Sequence, residues 1–339
     1  MNEASPPAIR RVRIWHLIKL LLFCVVVMFV LQRAFQIWKT APSTQVEIHA
    51  IWLVPASLTY LLSWLPSVWF WMALLKRTRQ PIDFWTALRA YYVGHLGKYV
   101  PGKALVLVIR GTMVKDVGVD PLLAGLMVVY ETLVFMAAGT ALGIATAPWV
   151  FGEAFWSRLP ESLRWLSGYP VLSVAAVFTA IFATTPFSAW IFTNLGRKTV
   201  PTATNGIEIP AISAWLVCQG VVATTFGWLL HAVSLGFVLQ SVSRQPLEWS
   251  QFPIWLAATT CSMVGGFLVI IAPGGIGVRE GVLIEILQRQ AQIGPATAVL
   301  AAVLVRAVSF GSEVVAAAVL YVAHRRAIQR RLARESSQS

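Results

Sequence analysis

Three ionisable residues stand where a membrane helix tolerates them least. Glu131 lies ten residues beyond Pro121, Arg306 eleven beyond Pro295, and Glu313 ten before Ala323, each inside an apolar run. At about 1.5 Å per residue those offsets reach about 15 Å, the middle of a hydrocarbon core about 30 Å thick. An ionised group at that depth costs on the order of 2.5–3.5 kcal/mol, so these groups must face one another, water or a ligand. Arg306 and Glu313 are two helical turns apart, on one face with Ala302, Ser309 and Ala316, and about 10 Å of axis between them leaves room for a third group. Two readings are open: Glu131 fills that space as a structural counter-ion, or the stripe forms one wall of a polar cavity in which Glu131, Glu280 and Glu313 act as counter-ions or a proton relay.

Two interruptions supply the second element. Pro101-Gly102 and Pro273-Gly274-Gly275-Ile276-Gly277 cannot continue a helix. Glycine permits a tight bend and leaves backbone N–H groups uncovered, and a helix starting at Val278 would aim the positive end of its dipole at the second break. Arg279 stands in its first turn, and Lys103 and Arg110 flank the first break. Basic groups outnumber acidic ones there, so the expected guest is an anionic headgroup, most simply a phosphate, held by Lys103, Arg110, Gly274, Gly275, Gly277, Arg279 and Arg306 with its apolar remainder in lipid. The plainer reading pairs Arg279 with Glu280 at a helix interface. His95, His231 and Gln219 read as internal hydrogen-bonding groups.

The chain that must position these residues has 339 residues, of which 57% are hydrophobic and only 12% charged. A soluble chain carries about a quarter charged residues, so this is an all-α polytopic membrane protein with no sizeable aqueous domain. The 15 Trp and 17 Phe suit many membrane boundaries. The net charge of +13 does not point to nucleic acid, because its groups cluster beside apolar runs: Arg10, Arg11, Arg13 and Lys19; Lys76, Arg77 and Arg79; Arg325, Arg326, Arg330, Arg331 and Arg334. That is the positive-inside pattern, which would also attract anionic lipid and places both ends in the cytoplasm.

Seven stretches are long enough to cross: Leu20 to about Trp38, Ile48 to Leu75, Pro121 to Val150, Pro170 to Phe192, Pro210 to Leu239, Phe252 to Ala272 and Pro295 to Ala323. No small-residue cleavage site comes after the first, so it reads as an anchor. Seven crossings would put the basic ends on opposite sides. One broken segment should therefore complete a crossing, and Asp83 to Arg110 is assigned that role, giving eight transmembrane helices plus re-entrant or broken ones. The halves also echo each other, each with a broken segment and then a proline-initiated helix that carries charge, as transporter folds with internal repeats do. The domain bounds are a basic tail over 1–16, one transmembrane domain over 17–323, and a basic tail over 324–339.

Other chemistry finds no support. Cys24, Cys218 and Cys261 sit in apolar runs without metal or disulfide spacing and read as small hydrophobes. There is no HExxH, GxSxG or Walker A lysine, and Gly275-Ile276-Gly277 meets its next glycine, Gly281, one place late for a dinucleotide loop with no strand before it. No cofactor, metal or covalent chemistry is expected.

The run from Ala272 to Gly281, APGGIGVREG, resembles the signature of the transmembrane, flippase-like region of lysylphosphatidylglycerol synthases and their stand-alone relatives. Gly97-Lys98-Tyr99-Val100-Pro101-Gly102-Lys103, with Arg110 beyond, is similar to that family's other marked segment, and Glu131 and Arg306 fall where it carries a membrane Glu and Arg. The likeness runs from about Leu17 to Arg325. It implies a bacterial inner-membrane protein that handles anionic or polyprenyl-linked lipids. Full-length aminoacyl-lipid synthases carry a soluble transferase domain after this region, whereas this sequence ends at Ser339, so no synthase activity is expected. A lipid flippase or transporter is the leading expectation. The alternative is a non-catalytic membrane subunit that positions a separate lipid- or glycan-modifying enzyme.

Overall fold

Proline and capping side chains decide where the helices begin. In the computed structural model, which describes residues 48–99, 104–158, 160–199, 211–243, 246, 248–269, 273–290 and 293–336 together with Met28, Gln32 and Phe35, every extended element is helical. The expected anchor from Leu20 to Trp38 lies almost wholly outside those residues. Helices α1 (Leu53–Leu62) and α2 (Leu65–Arg77) form one kinked unit, with Pro66 in the first turn of α2. After them come α3 (Phe84–His95), α4 (Leu105–Lys115) and α5 (Pro121–Phe151). Asp83 caps α3 by accepting from Thr86 N at 3.0 Å, and Asp120 caps α5 by accepting from Leu123 N at 2.8 Å. Single helical turns at Glu153–Trp156 and Glu161–Arg164 lead to α6 (Pro170–Ala183) and α7 (Thr185–Thr199), and α8 (Ala214–Val242) starts on the Ser213 cap. The chain closes with α9 (Phe252–Leu268), α10 (Val278–Leu287) and α11 (Pro295–Ser336).

Among the described residues five units are long and apolar enough to cross a membrane: Ala50–Arg77, Pro121–Phe151, Val174–Gly196, Ala214–Val242 and Pro295–Arg326. The expected eight are not found there, for two reasons. The segment from Asp83 to Arg110 doubles back instead of crossing. A Cβ on Gly94 would lie 2.5 Å from Arg110 Cγ and one on Gly97 would lie 2.7 Å from Val106 N, so α4 runs antiparallel against α3. The stretch from Phe252 is likewise only one arm of a hairpin: α9 has 17 residues, and α10 returns beside it with Gly266 against Arg279 and Gly265 facing Val282.

These two hairpins enter from opposite ends. Hairpin 1 (α3–α4) has its base beside the start of α5, since its last helix precedes Pro121 by only a short turn. The base of hairpin 2 (α9–α10) lies at the far end of α5, where the Arg289 guanidinium sits 5.5 Å from the Phe151 ring. Some 31 residues of α5, about 45 Å of helix, separate the two bases. Yet the tips meet, because a Cβ on Gly274 of tip 2 would lie 3.1 Å from Tyr99 of tip 1. Tip 2 needs its glycines: Gly274, Gly275 and Gly277 have φ of 58°, 72° and 90°, a region that side chains disfavour.

The core that holds the hairpins is aromatic. Trp71, Trp228 and Trp255 are fully buried, and the Trp228 indole donates to Phe135 O at 2.8 Å. Trp85, Trp165, Trp215 and Trp249 are exposed beside helix starts, as membrane-boundary residues would be. The tryptophans therefore divide between packing and interface.

Candidate functional site

Helix α11 carries the centre of the site, and both hairpin tips dock on it. Glu313, completely buried, accepts hydrogen bonds from the Tyr60 hydroxyl, from Lys98 Nζ at 2.5 Å and from the Tyr99 hydroxyl at 2.9 Å. Two turns earlier, Arg306 Nη1 donates to Gly274 O at 3.1 Å, and Nε lies 3.4 Å from Glu280 Oε1. Tyr99 occupies the space between them, with its ring centroid 5.6 Å from the Arg306 guanidinium. The third group anticipated between Arg306 and Glu313 is thus the tip of hairpin 1, and Glu131 is elsewhere.

Glu131 is paired with Arg110. Their closest approach is 3.4 Å, the side chains are 3% and 2% exposed, and Tyr91 donates to Glu131 at 2.9 Å. The Arg110 guanidinium also stacks 3.5 Å from the Tyr91 ring centroid. Arg110 was expected to face the guest, but this packing turns it into the protein. A buried aromatic chain lies between the pair and the Glu313 cluster: Tyr91, His95, Trp64, His231 and Tyr60 follow one another with ring centroids 4.2–5.3 Å apart. Ser63 Oγ lies 3.1 Å from the His231 ring nitrogens, so that histidine is an internal hydrogen-bonding group.

The start of α10 holds an anion already. Gly277 N donates to Glu280 Oε2 at 2.6 Å, so the helix N-terminus expected to bind phosphate is filled by the chain's own carboxylate. Glu280 turns to Arg306, and the pairing of Arg279 with Glu280 does not form. Arg279 points instead into a small cavity lined by Tyr60, His231, Ser234, Thr259 and Ser262, with room for about one water. Among the described residues Arg279 has no hydrogen bond or ion pair. Thr259 Oγ1 and Arg306 Nη2 are buried without partners. An uncompensated guanidinium beside unsatisfied donors is an arrangement that an anion would complete.

Of the residues read from the sequence, Gly274, Gly275, Gly277, Arg279, Glu280, Arg306 and Glu313 gather around the meeting tips, whereas Arg110 and Glu131 form a second centre. Lys103, Pro101 and Gly102 lie outside the described residues, and of Pro273 only the backbone turn is described. Lys98, Tyr99 and Tyr60 were missed as site residues. Lys98 and Tyr99 stand within the marked segment beside Pro101, and that was the available signal. Tyr60 carries none, since it sits in an unremarkable apolar helix. Among the described residues no group of His, Cys, Asp and Glu could hold a metal ion.

The family described as "Lysylphosphatidylglycerol synthase TM region" matches residues 16–317. The chain belongs to that family. A comparison with curated proteins found no match. Membership of the lysylphosphatidylglycerol synthase TM region family, together with the long apolar helices, makes this a multi-pass membrane protein with a lipid-related role.

Proposed function

We propose that this protein moves a lipid with an anionic headgroup, a phospholipid or a polyprenyl-phosphate-linked lipid, between the leaflets of the bacterial inner membrane without covalent chemistry. The observation that carries this reading is Arg279, which among the described residues has no counter-ion and faces a small cavity, lined by both polar and apolar side chains, between hairpin 2 and the long helices. Taking a phosphate out of water is the main barrier to lipid flipping, and a site that widened from the Arg279 cavity to reach Arg306 would lower it. The phosphate would displace Glu280 from Arg306, and the hydrocarbon chains would stay in the bilayer.

The topology in this reading is six crossings: the stretch from Leu20 to Trp38 and the five long helices, with the two hairpins entering from opposite faces. Lys76, Arg77, Arg79, Lys115, Arg325 and Arg326 all flank the end at which hairpin 1 enters, and the positive-inside pattern supports a cytoplasmic side for that end and for both termini. Six crossings satisfy parity, so neither hairpin has to span.

The test is exchange of fluorescent phosphatidylglycerol in reconstituted vesicles, read by chemical quenching of the outer leaflet. Wild-type protein should speed exchange over protein-free vesicles, and Arg279→Ala should slow it at least about tenfold, the loss of one charged hydrogen-bonding group. Equal exchange by wild type and Arg279→Ala at matched insertion would refute the reading. Exchange at the protein-free rate by both would favour the alternative of a subunit that positions a separate enzyme.

A further inference from the structure

The two hairpins carry the same device with its charges reversed. In hairpin 1 the returning arm α4 supplies Arg110, which binds Glu131, ten residues past Pro121 in the next long helix. In hairpin 2 the returning arm α10 supplies Glu280, which binds Arg306, eleven residues past Pro295 in the next long helix. Both pairs close to 3.4 Å. The hairpins enter from opposite ends and meet at their tips, an arrangement of the kind that inverted repeats produce. What the two units share is an ion pair between the returning arm and the next long helix; the sign is reversed, and the arm residue is the sixth of α4 in one and the third of α10 in the other.

Their surroundings differ sharply. Arg110 and Glu131 are 2% and 3% exposed and packed against Tyr91 and Trp71. Arg306 and Glu280 are 20% and 18% exposed, next to the Arg279 cavity. Equivalent devices in unequal environments are what an inverted-repeat transporter presents when one side is shut and the other ajar. Helix α11 joins the two, since Glu313 holds Lys98 and Tyr99 of tip 1 while Arg306 holds Gly274 of tip 2.

We propose that Arg110–Glu131 and Glu280–Arg306 are the two latches of an alternating pair, and that this structure is the state in which latch 1 is dry and latch 2 hydrated. This rests on the transport reading for its purpose, but its test does not use lipid exchange. In the opposite state latch 1 is hydrated and latch 2 dry. Breaking latch 1 by Glu131→Gln leaves Arg110 charged and uncompensated, which is costly where it is dry and mild where it is wet, so the protein is driven into the opposite state.

Single cysteines report the change in a background lacking Cys24, Cys218 and Cys261. Ser67, 1% exposed, lies beside Glu131, and Ile276 is partly exposed at tip 2. With a membrane-impermeant methanethiosulfonate, Ser67→Cys should be inert and Ile276→Cys reactive. Adding Glu131→Gln should raise labelling at 67 by on the order of 100-fold and lower it at 276, whereas Glu280→Gln at the wetter latch should move both far less. The pair Arg110→Leu/Glu131→Leu, which leaves no charge to hydrate, should return the original pattern and controls for misfolding. Labelling that rises at 67 with no fall at 276, or that persists in the leucine pair, would overturn the proposal. Failure of lipid exchange with this reciprocal pattern intact would sink the transport reading alone.

Discussion

Glutamine at position 313 is the sharpest perturbation of the central cluster. Glu313→Gln keeps the shape and one acceptor oxygen, which can serve Tyr60 or Tyr99 but not both because they donate to different carboxylate oxygens, and it removes the charge that holds Lys98. The carboxylate is fully buried, whereas the Lys98 side chain retains 19% of its exposure. Breaking a buried pair by removing one partner costs about 3–5 kcal/mol, and partial access of water to the ammonium trims that to about 2–3 kcal/mol. At roughly 2 °C per kcal/mol for a chain of this size, the melting midpoint should fall by about 4–6 °C. Unfolding in mixed micelles measures it, and a double-mutant cycle with Lys98→Met isolates the pair. The cycle should return a coupling of about 1.5–3 kcal/mol, with the double variant recovering much of the loss. A coupling below about 0.5 kcal/mol would mean that Glu313 does not hold tip 1, and the description of α11 as the anchor of both tips would fail.

Gly97→Ala should lower the melting midpoint by the equivalent of about 1–3 kcal/mol, because its Cβ would meet backbone atoms of Val106 and Leu105 at 2.7 and 2.9 Å and neither can turn aside without opening hairpin 1. At the base of that hairpin, the hydrogen bond from Thr86 holds the Asp83 carboxyl below the usual carboxylate range, so the cap it forms is fully present above about pH 4 and is lost as pH falls through the depressed folded value. Asp83→Ala should cost about 1 kcal/mol at neutral pH, whereas Asp83→Asn should keep the cap and abolish that acid limb, both read by melting between pH 3 and 7.

Much of this was legible because the bilayer restricts what a sequence can do. The length of apolar runs located the helices, and prolines at Pro121 and Pro295 marked two of the starts. Depth along the helix singled out Glu131, Arg306 and Glu313, since a buried charge needs a partner wherever the helices go. The identity of that partner could not be read. Arg306 and Glu313 share a face, but whether Tyr99 or Glu131 lies between them depends on hairpin 1 folding back, and that depends on close approach at Gly94 and Gly97. The same fold-back explains why the described residues hold fewer crossings than were expected of them. Phe252 onward is apolar enough to span, and a mid-membrane return differs from a crossing only in the direction the chain takes after the break. Glycines at φ above zero at Gly274, Gly275 and Gly277 allow the reversal, but sequence alone does not state that it happens.

The charge balance of the interior constrains the proposed guest further. Among the described residues of the two centres, Lys98 is matched by Glu313, Arg306 by Glu280 and Arg110 by Glu131, and Arg279 is left over. Each latch and the tip 1 anchor is therefore neutral in itself and can move without dragging net charge through a low-dielectric region. That matters because an unpaired ion deep in the membrane is costly. Only the residue that faces the cavity remains uncompensated, and a guest with one negative charge, such as a phosphodiester, would make the whole assembly neutral while it moves. A doubly charged phosphomonoester would leave one charge in excess. The reversal of sign between the latches fits the same logic: each pair is neutral in itself, so either orientation of the pair serves, and among the described residues of these two centres Arg279 of hairpin 2 is the cation left over.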